Sequence, residues 1–185
     1  MKDEDLLWRD LDTRVFAHTP VFDVMEKVSE NATGVKGKYY VLAPRDWVVV
    51  LPKKGDAFVM VRQWRHGSAC MTMEFPGGTI EPGEDPTLAA HREMTEEIAY
   101  RAGRMTKLGV VNPNPALFNN HFHIYLAEDL TPVGAQHLDA DEFINILEKP
   151  VDEVLASFGT GEYIHAFMGT ALGLYLREMM RRNKN

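Results

Sequence analysis

Apolar and polar positions alternate in short runs over the first part of the chain, and the apolar runs become continuous near residue 46. Residues 14–52 read as strands: residues 21–28 alternate in part, residues 38–42 are rich in Tyr and Val, and Asn31, Ala32, Thr33 and Gly34 predict a turn between them. Residues 46–51 form a continuous apolar strand. Residues 52–56 predict a hairpin turn, with residues 57–64 as the partner strand. Further on, Pro82-Gly83-Glu84-Asp85-Pro86 is a helix start, with Asp85 as the cap and Pro86 at the first helical position. That helix is expected to reach about Ala102 and to stop at Gly103. Strands follow at residues 108–111, 121–127 and 143–147. A short helix starts at Val151, and a longer one runs from about Glu162 to Arg181, where Arg177, Arg181 and Arg182 suit the negative end of its dipole. Mixed strands with helices on the outside predict an α+β chain arranged as an α/β/α sandwich.

The 185 residues correspond to about one domain, at roughly 150 residues per domain. With 45% hydrophobic and 25% charged residues, disorder is excluded as the dominant state. A net charge of −7 argues against a broad nucleic-acid footprint. It leaves room for a small phosphate ligand, because a bound cation reverses the local field. The single cysteine, Cys70, forms no intrachain disulfide and fits a reducing compartment. The N-terminus lacks the pattern of a signal peptide, and the most apolar late stretch, residues 163–176, is too short to span a bilayer. The expected location is the cytoplasm, with no membrane partner.

Chemistry concentrates in residues 77–100. On a helical wheel Glu93, Glu96 and Glu97 fall within an arc of roughly 100°, while Thr87, Ala90, His91, Met94 and Ile98 lie on another side. One face therefore packs while three carboxylates project together. Grouping like charges costs about 0.2–0.5 kcal/mol per exposed pair, and more on burial. The wheel directs Arg92 about 50° or more away from Glu93 and Glu97. A hard divalent cation is thus the expected compensation, since Mg²⁺ takes carboxylate, water and phosphate oxygens. The alternative is a solvated acidic face. His121 and His123 alternate along a strand but lack a third ligand for zinc.

Gly78, then Glu84, then Arg92-Glu93-Met94-Thr95-Glu96-Glu97 resembles the signature of the Nudix hydrolase family, G-x5-E-x7-R-E-U-x-E-E-x-G-U with U bulky and apolar. Six of its seven fixed letters are present; Ala99 replaces the glycine, and Tyr100 stands at the last apolar position. The resemblance implies a Nudix-type α/β/α sandwich with mixed sheet. It implies metal ligation by Glu93, Glu96, Glu97 and the Gly77 carbonyl, catalytic roles for Glu96 and Glu97, and a structural pair of Glu84 with Arg92. The implied cofactor is Mg²⁺, with Mn²⁺ as a substitute, and the implied reaction is attack of water on a phosphorus of a nucleoside diphosphate linked to another moiety.

Outside the signature, Gln63-Trp64-Arg65 and Glu74-Phe75-Pro76-Gly77-Gly78 resemble the ADP-ribose and nucleoside diphosphate sugar pyrophosphatases of the family. In that group an N-terminal antiparallel sheet extension, here residues 1–44 ahead of a hydrolase domain of residues 45–185, is exchanged in a homodimer. Arg65 is expected on the diphosphate or sugar, Glu74 on the base or a metal-bound water, and Trp64 and Phe118 as further substrate contacts. Loop residues 112–120, rich in Pro and Asn, lack the Gly and Ser-Asp-Glu elements of strict ADP-ribose enzymes and favour a broader nucleotide-sugar substrate. The subgroup often places its general base on a loop near the C-terminal strand, which points to Glu142, with Asp141 and Asp139 as alternatives. The rival readings are hydrolysis of nucleoside triphosphates or capped RNA, and a non-catalytic nucleotide-sugar binding module.

Overall fold

A computed structural model describes residues 2–184, with nine strands and three α-helices among them. The chain forms two compact units. The first gathers Asn112–His121 with the chain up to Arg45, and the second holds Asp46–Val111 and Phe122–Asn185.

In the first unit a 3₁₀ turn, Asp3–Leu6, leads into three antiparallel strands in the order β1 (Trp8–His18), β2 (Phe22–Asn31), β3 (Lys36–Pro44). β1 starts ahead of the expected residue 14. Register shifts at Asp10/Asp12 and Val15/Ala17 break its alternation and hide it from a period-two reading. The turn at Asn31 is built by its side chain, whose Oδ1 accepts from the Thr33 and Val35 amides. Asn120, 3% exposed, donates to the Arg45 carbonyl, and Asn112 donates to the carbonyls of Phe118 and Asn120, so the asparagines shape loop 112–121.

The second unit is built on β4 (Trp47–Lys54), β5 (Ala57–Arg65), β6 (Cys70–Glu74), β7 (Tyr100–Val111), β8 (Phe122–Pro132) and β9 (Asn145–Pro150), with the order β6-β5-β4-β8-β7 and β9 on β5. β4 and β8 run parallel; the other pairs are antiparallel. The helices are α1 (Pro86–Ile98), α2 (Val151–Ser157) and α3 (Ala166–Arg182). Side chains alternate between two cores. Val48, Val50, Val59, Val61 and Tyr125 pack under α1 with Ala90, Met94 and Ile98. Leu51, Phe58, Met60, Ile124 and Leu126 pack under α2 and α3 with Val154, Met168, Leu172 and Tyr175. Burial on both faces is why these strands are continuously apolar and why the unit is an α/β/α sandwich.

Helix α1 starts as expected: Asp85 accepts from the Thr87 and Leu88 amides, and Pro86 occupies the first turn. It ends earlier than expected. Ala99 takes the left-handed conformation, φ 55° and ψ 37°, and its N–H closes the helix on the Thr95 carbonyl. Gly103 lies inside β7, not at a helix stop. Residues Tyr100 and Ala102 face the α1 core and alternate with outward residues, so the apolar spacing that suggested helix serves a strand equally well. Helix α3 likewise starts at Ala166 and not near Glu162. The segment ahead of it is tied to the strands: the Met73 amide donates to the Glu162 carbonyl, and Arg62 makes two bonds to the Glu162 carboxylate. At the other end Arg182 joins Glu178 to Glu128 on β8, and Arg177 reaches the Leu108 carbonyl on β7. The C-terminal arginines thus strap α3 to the sheet as well as complementing its dipole.

Left-handed backbone costs a non-glycine residue roughly 1–2 kcal/mol. Ala99→Gly should therefore stabilise the fold by about 1 kcal/mol and raise Tm by about 2–4 °C. Differential scanning calorimetry checks this, and a lower Tm would show that the Ala99 methyl contributes more to packing than its backbone strain costs.

Candidate active site

The site begins with the backbone of residues 76–80. After its hairpin end β4 parts from β5, and its free edge is taken by this loop: the Val50 amide donates to the Pro76 carbonyl, Val48 to Gly78, and Ile80 to Asp46. Gly77 sits so close to β4 that a Cβ would overlap the Val48 carbonyl oxygen. The Gly77 N–H does not pair with β4; it donates to Glu97 Oε2 at 3.0 Å. A Cβ on Gly78 would lie 2.5 Å from Glu93 Oε1. Both glycines therefore let the loop lie flat against two carboxylates of α1. Arg92 ties the loop to the helix, bonding Glu84 through Nε at 2.9 Å and Nη2 at 3.0 Å and the Thr79 carbonyl at 3.0 Å.

Glu97 is only 3% exposed, on the edge of the packed face of α1. Burial pushes its carboxyl up to about 8; the Gly77 N–H opposes this, while the charges of Glu93 and Glu142 add to it. Burial also raises Glu93, to about 7, against the pull of Arg92. The wheel expectation for Arg92 needs correction. Its Nη1 reaches Glu93 Oε1 at 2.8 Å and Glu96 Oε2 at 3.1 Å, because wheel angles describe Cβ directions and a long side chain folds back over the helix. One guanidinium serves three glutamates, and Glu97 receives none of it.

Among the described residues no three His, Cys, Asp or Glu side chains are gathered as a ready-made metal cage. Arg92 holds Glu93 and Glu96, and Glu97 is turned to the Gly77 amide. The chemistry of the donor set nevertheless fits a hard divalent cation: carboxylates on one helix face with too little positive charge, and no sulfur or imidazole competing.

On the strand side, Arg65 makes two bonds to Glu74, 2.7 Å from Nε and 2.5 Å from Nη2, and Thr72 donates to the same carboxylate. Glu74 is 5% exposed and, despite burial, held below its usual range by Arg65. Arg65 feels the charges of Glu97 and Glu142, which puts the two halves of the site in one electrostatic neighbourhood. Glu142 lies in loop 139–142, where its carboxylate accepts from the Asp139 amide, and its charge acts on Glu93 and Glu97. Asp139 and Asp141 are exposed neighbours in that loop. Trp64 is 48% exposed and, one residue from Arg65 on a strand, faces the other side of β5. Phe118 belongs to the first unit, where its backbone bridges to Leu42. Sequence reasoning passed over His165 and Phe167, which line the cavity beside Arg65 and Glu74; the signal was a His-x-Phe run opening an apolar helix.

The NUDIX domain matches residues 42–166. The chain belongs to the NUDIX family. An ADP-ribose pyrophosphatase of Bacillus subtilis is 29% identical over 167 residues, covering 89% of this chain and 90% of that protein. The ADP compounds hydrolase NudE of Escherichia coli is 30% identical over 134 residues, covering 71% and 70%. The solved structure of an ADP compounds hydrolase superposes with a TM-score of 0.84 at 26% identity, covering 95% of each chain. In this NUDIX chain the family glycine at position 99 is an alanine that still adopts the left-handed backbone.

The raised carboxyl of Glu97 makes a stability prediction for the metal-free protein. Its folded value, about 8, exceeds the ordinary 4.5, so the folded state favours the protonated form. Stability is unaffected below about pH 4.5, falls as pH rises toward 8, and stays low above it. In chelator, Glu97→Gln should melt higher than the unmodified NUDIX protein at pH 9 and nearly equally at pH 5. Equal melting at pH 9 would show that the buried charge is compensated without metal.

Proposed function

We propose that this NUDIX protein is a Mg²⁺-dependent pyrophosphatase acting on ADP-ribose or a related nucleoside diphosphate sugar, releasing a nucleoside monophosphate and a sugar phosphate. The reading rests on one observation above the others: Glu97 is buried and Glu93 half-buried behind Gly77–Gly78 without enough positive charge, and Glu97 lies within electrostatic reach of Arg65. The names of the relatives, ADP-ribose pyrophosphatase and ADP compounds hydrolase, support the substrate class.

Glu93, Glu97, Glu96 and the Gly77 carbonyl would hold the metal, which supplies charge neutralisation and an activated water when bound. Forming that site requires Glu93 and Glu96 to exchange Arg92 for the cation, while Arg92 keeps Glu84. Arg65 binds a phosphate oxygen through its fork, held in place by Glu74. Glu142 accepts a proton as water attacks: the new bond joins water oxygen to one phosphorus, the P–O–P bridge breaks, and the bridging oxygen leaves on the other phosphate. Glu142 is exposed on its loop, and its charge already acts on Glu93 and Glu97.

Residues 1–44 act, on this reading, as an extension exchanged between two copies. Trp8, Phe16, Tyr39 and Tyr40 are all exposed on that sheet, and apolar surface of this kind fits a covering partner chain. Sedimentation should give a dimer, and removal of residues 1–44 should give a monomer; a monomeric full chain would discard the exchange. The proposed location is the cytoplasm, and separately, no helix among the described residues is long and apolar enough to cross a membrane.

Purified protein with Mg²⁺ should convert ADP-ribose into two phosphomonoesters. Glu142→Gln should lower kcat by about 10²–10⁴-fold with little change in KM, and Glu97→Gln should abolish metal-dependent turnover while remaining folded by circular dichroism. Full activity of the Glu97→Gln protein would discard the metal assignment.

A further inference from the structure

The cavity beside Arg65 and Glu74 has a wall that the family motif does not supply. It holds about 360 Å³, and Trp47, Phe122 and Phe167 line it with aromatic surface. His165 stands at its edge, between that surface and Glu74.

The imidazole is held from three directions. Its Nδ1 accepts the Phe167 N–H at 3.3 Å, capping α3, so the ring proton resides on Nε2. The ring rests on Phe167, with centroids 4.7 Å apart. The chain just ahead is fixed by the Met73–Glu162 backbone bond and the Arg62–Glu162 pair. Burial and the nearby Arg65 hold the imidazole below its usual range against Glu74, so near neutral pH it is an uncharged donor.

Nε2 lies 3.9 Å from Glu74 Oε2, beyond a direct hydrogen bond. Oε2 accepts from Arg65 and has a lone pair to spare. A fixed donor and a fixed acceptor at this separation, both lining one cavity, complement a group that accepts and donates at once. A hydroxyl does this, and so do the two oxygens of a vicinal diol. Resting on the hydrolase reading above, we propose that His165 and Glu74 together bind a sugar hydroxyl of the nucleotide-sugar substrate, with a carbon face of that sugar against the aromatic wall.

Three ligands separate the sources of that hydroxyl: ADP-ribose, the methyl ester of ADP, which keeps only the nucleoside ribose, and the methyl ester of 2′,3′-dideoxy-ADP, which has neither set of ring hydroxyls. Kd is measured by calorimetry in chelator, and kcat/KM with Mg²⁺. His165→Phe should weaken ADP-ribose by about tenfold and leave the dideoxy ester within twofold. His165→Gln, which restores an N–H near the Nε2 position, should recover most of the loss. A loss on ADP-ribose alone assigns the hydroxyl to the distal sugar; an added loss on the ADP ester assigns it to the nucleoside ribose. Equal loss on all three ligands, the result expected if His165 serves only as a helix cap, would overturn the proposal, as would no loss on any. Binding of ADP-ribose without hydrolysis by the unmodified protein would overturn the hydrolase reading alone, and the Kd series would still decide the role of His165. Absence of both binding and hydrolysis would overturn both.

Discussion

Two carboxylates, Glu97 buried and Glu93 half-buried, stand one turn apart near the end of α1, and the protein alone neutralises them poorly. On an exposed helix such a pair would cost only about 0.2–0.5 kcal/mol. Here burial is the main cause that raises both carboxyls, and neighbouring carboxylates add to it: Glu96 and Glu142 at Glu93, Glu93 and Glu142 at Glu97. Within the helix only Arg92 offsets this charge, through Glu93 and Glu96 and not Glu97, so the arrangement has to be held from outside as well. Gly77 and Gly78 lay a flat loop against the carboxylates, Arg92 fastens that loop through Glu84, and β4 supplies the edge on which the loop is hydrogen-bonded.

The sandwich makes this affordable because α1 is anchored elsewhere. Ala90, Met94 and Ile98 are buried against Val48, Val50, Val59 and Val61, on the face next to the one carrying charge. The same strands turn their alternate residues into the second core under α2 and α3. β4 is therefore clamped on both faces, and parallel pairing with β8 fixes its length. An edge so constrained can position a loop that makes few contacts of its own.

Much of this was legible in the sequence, and the failures have physical causes. The helix start at Asp85–Pro86 and the apolar strand at 46–51 are local signals and appear where the residues place them. The end of α1 was misplaced because Ala99 carries no mark of a left-handed cap: a glycine there would have announced it, and the following Tyr100 and Ala102 suit either period. The bulges of β1 scramble its alternation, so a period-two pattern captures only part of the strand. At the site, the spacing of Glu84, Arg92, Glu93 and Glu97 was readable, but the reach of Arg92 was not, since a wheel records where a side chain starts and not where four methylene-linked bonds take it. His165 and Trp47 are 118 residues apart in sequence and meet only because α3 packs beside β4.

The two sides of the site differ in what they ask of their neighbours. The α1 side gathers charge: Glu96 and Glu142 act on Glu93, and Glu93 and Glu142 act on Glu97. The α3 side is nearly neutral: an uncharged imidazole, three aromatic rings, and one carboxylate already paired with Arg65. Its scaffold is also separate, because the segment carrying His165 is tied to β5 and β6 through Arg62 and Met73 and not to α1. A neutral donor is the physical requirement at that position. A second cation beside Arg65 would compete for Glu74 and weaken the hold on the guanidinium, whereas an N–H dipole adds direction without altering the balance of charge. On the proposed reading, the side chains that contact the sugar stand on a scaffold separate from those that concentrate negative charge, so a change at His165 leaves the α1 carboxylates in place.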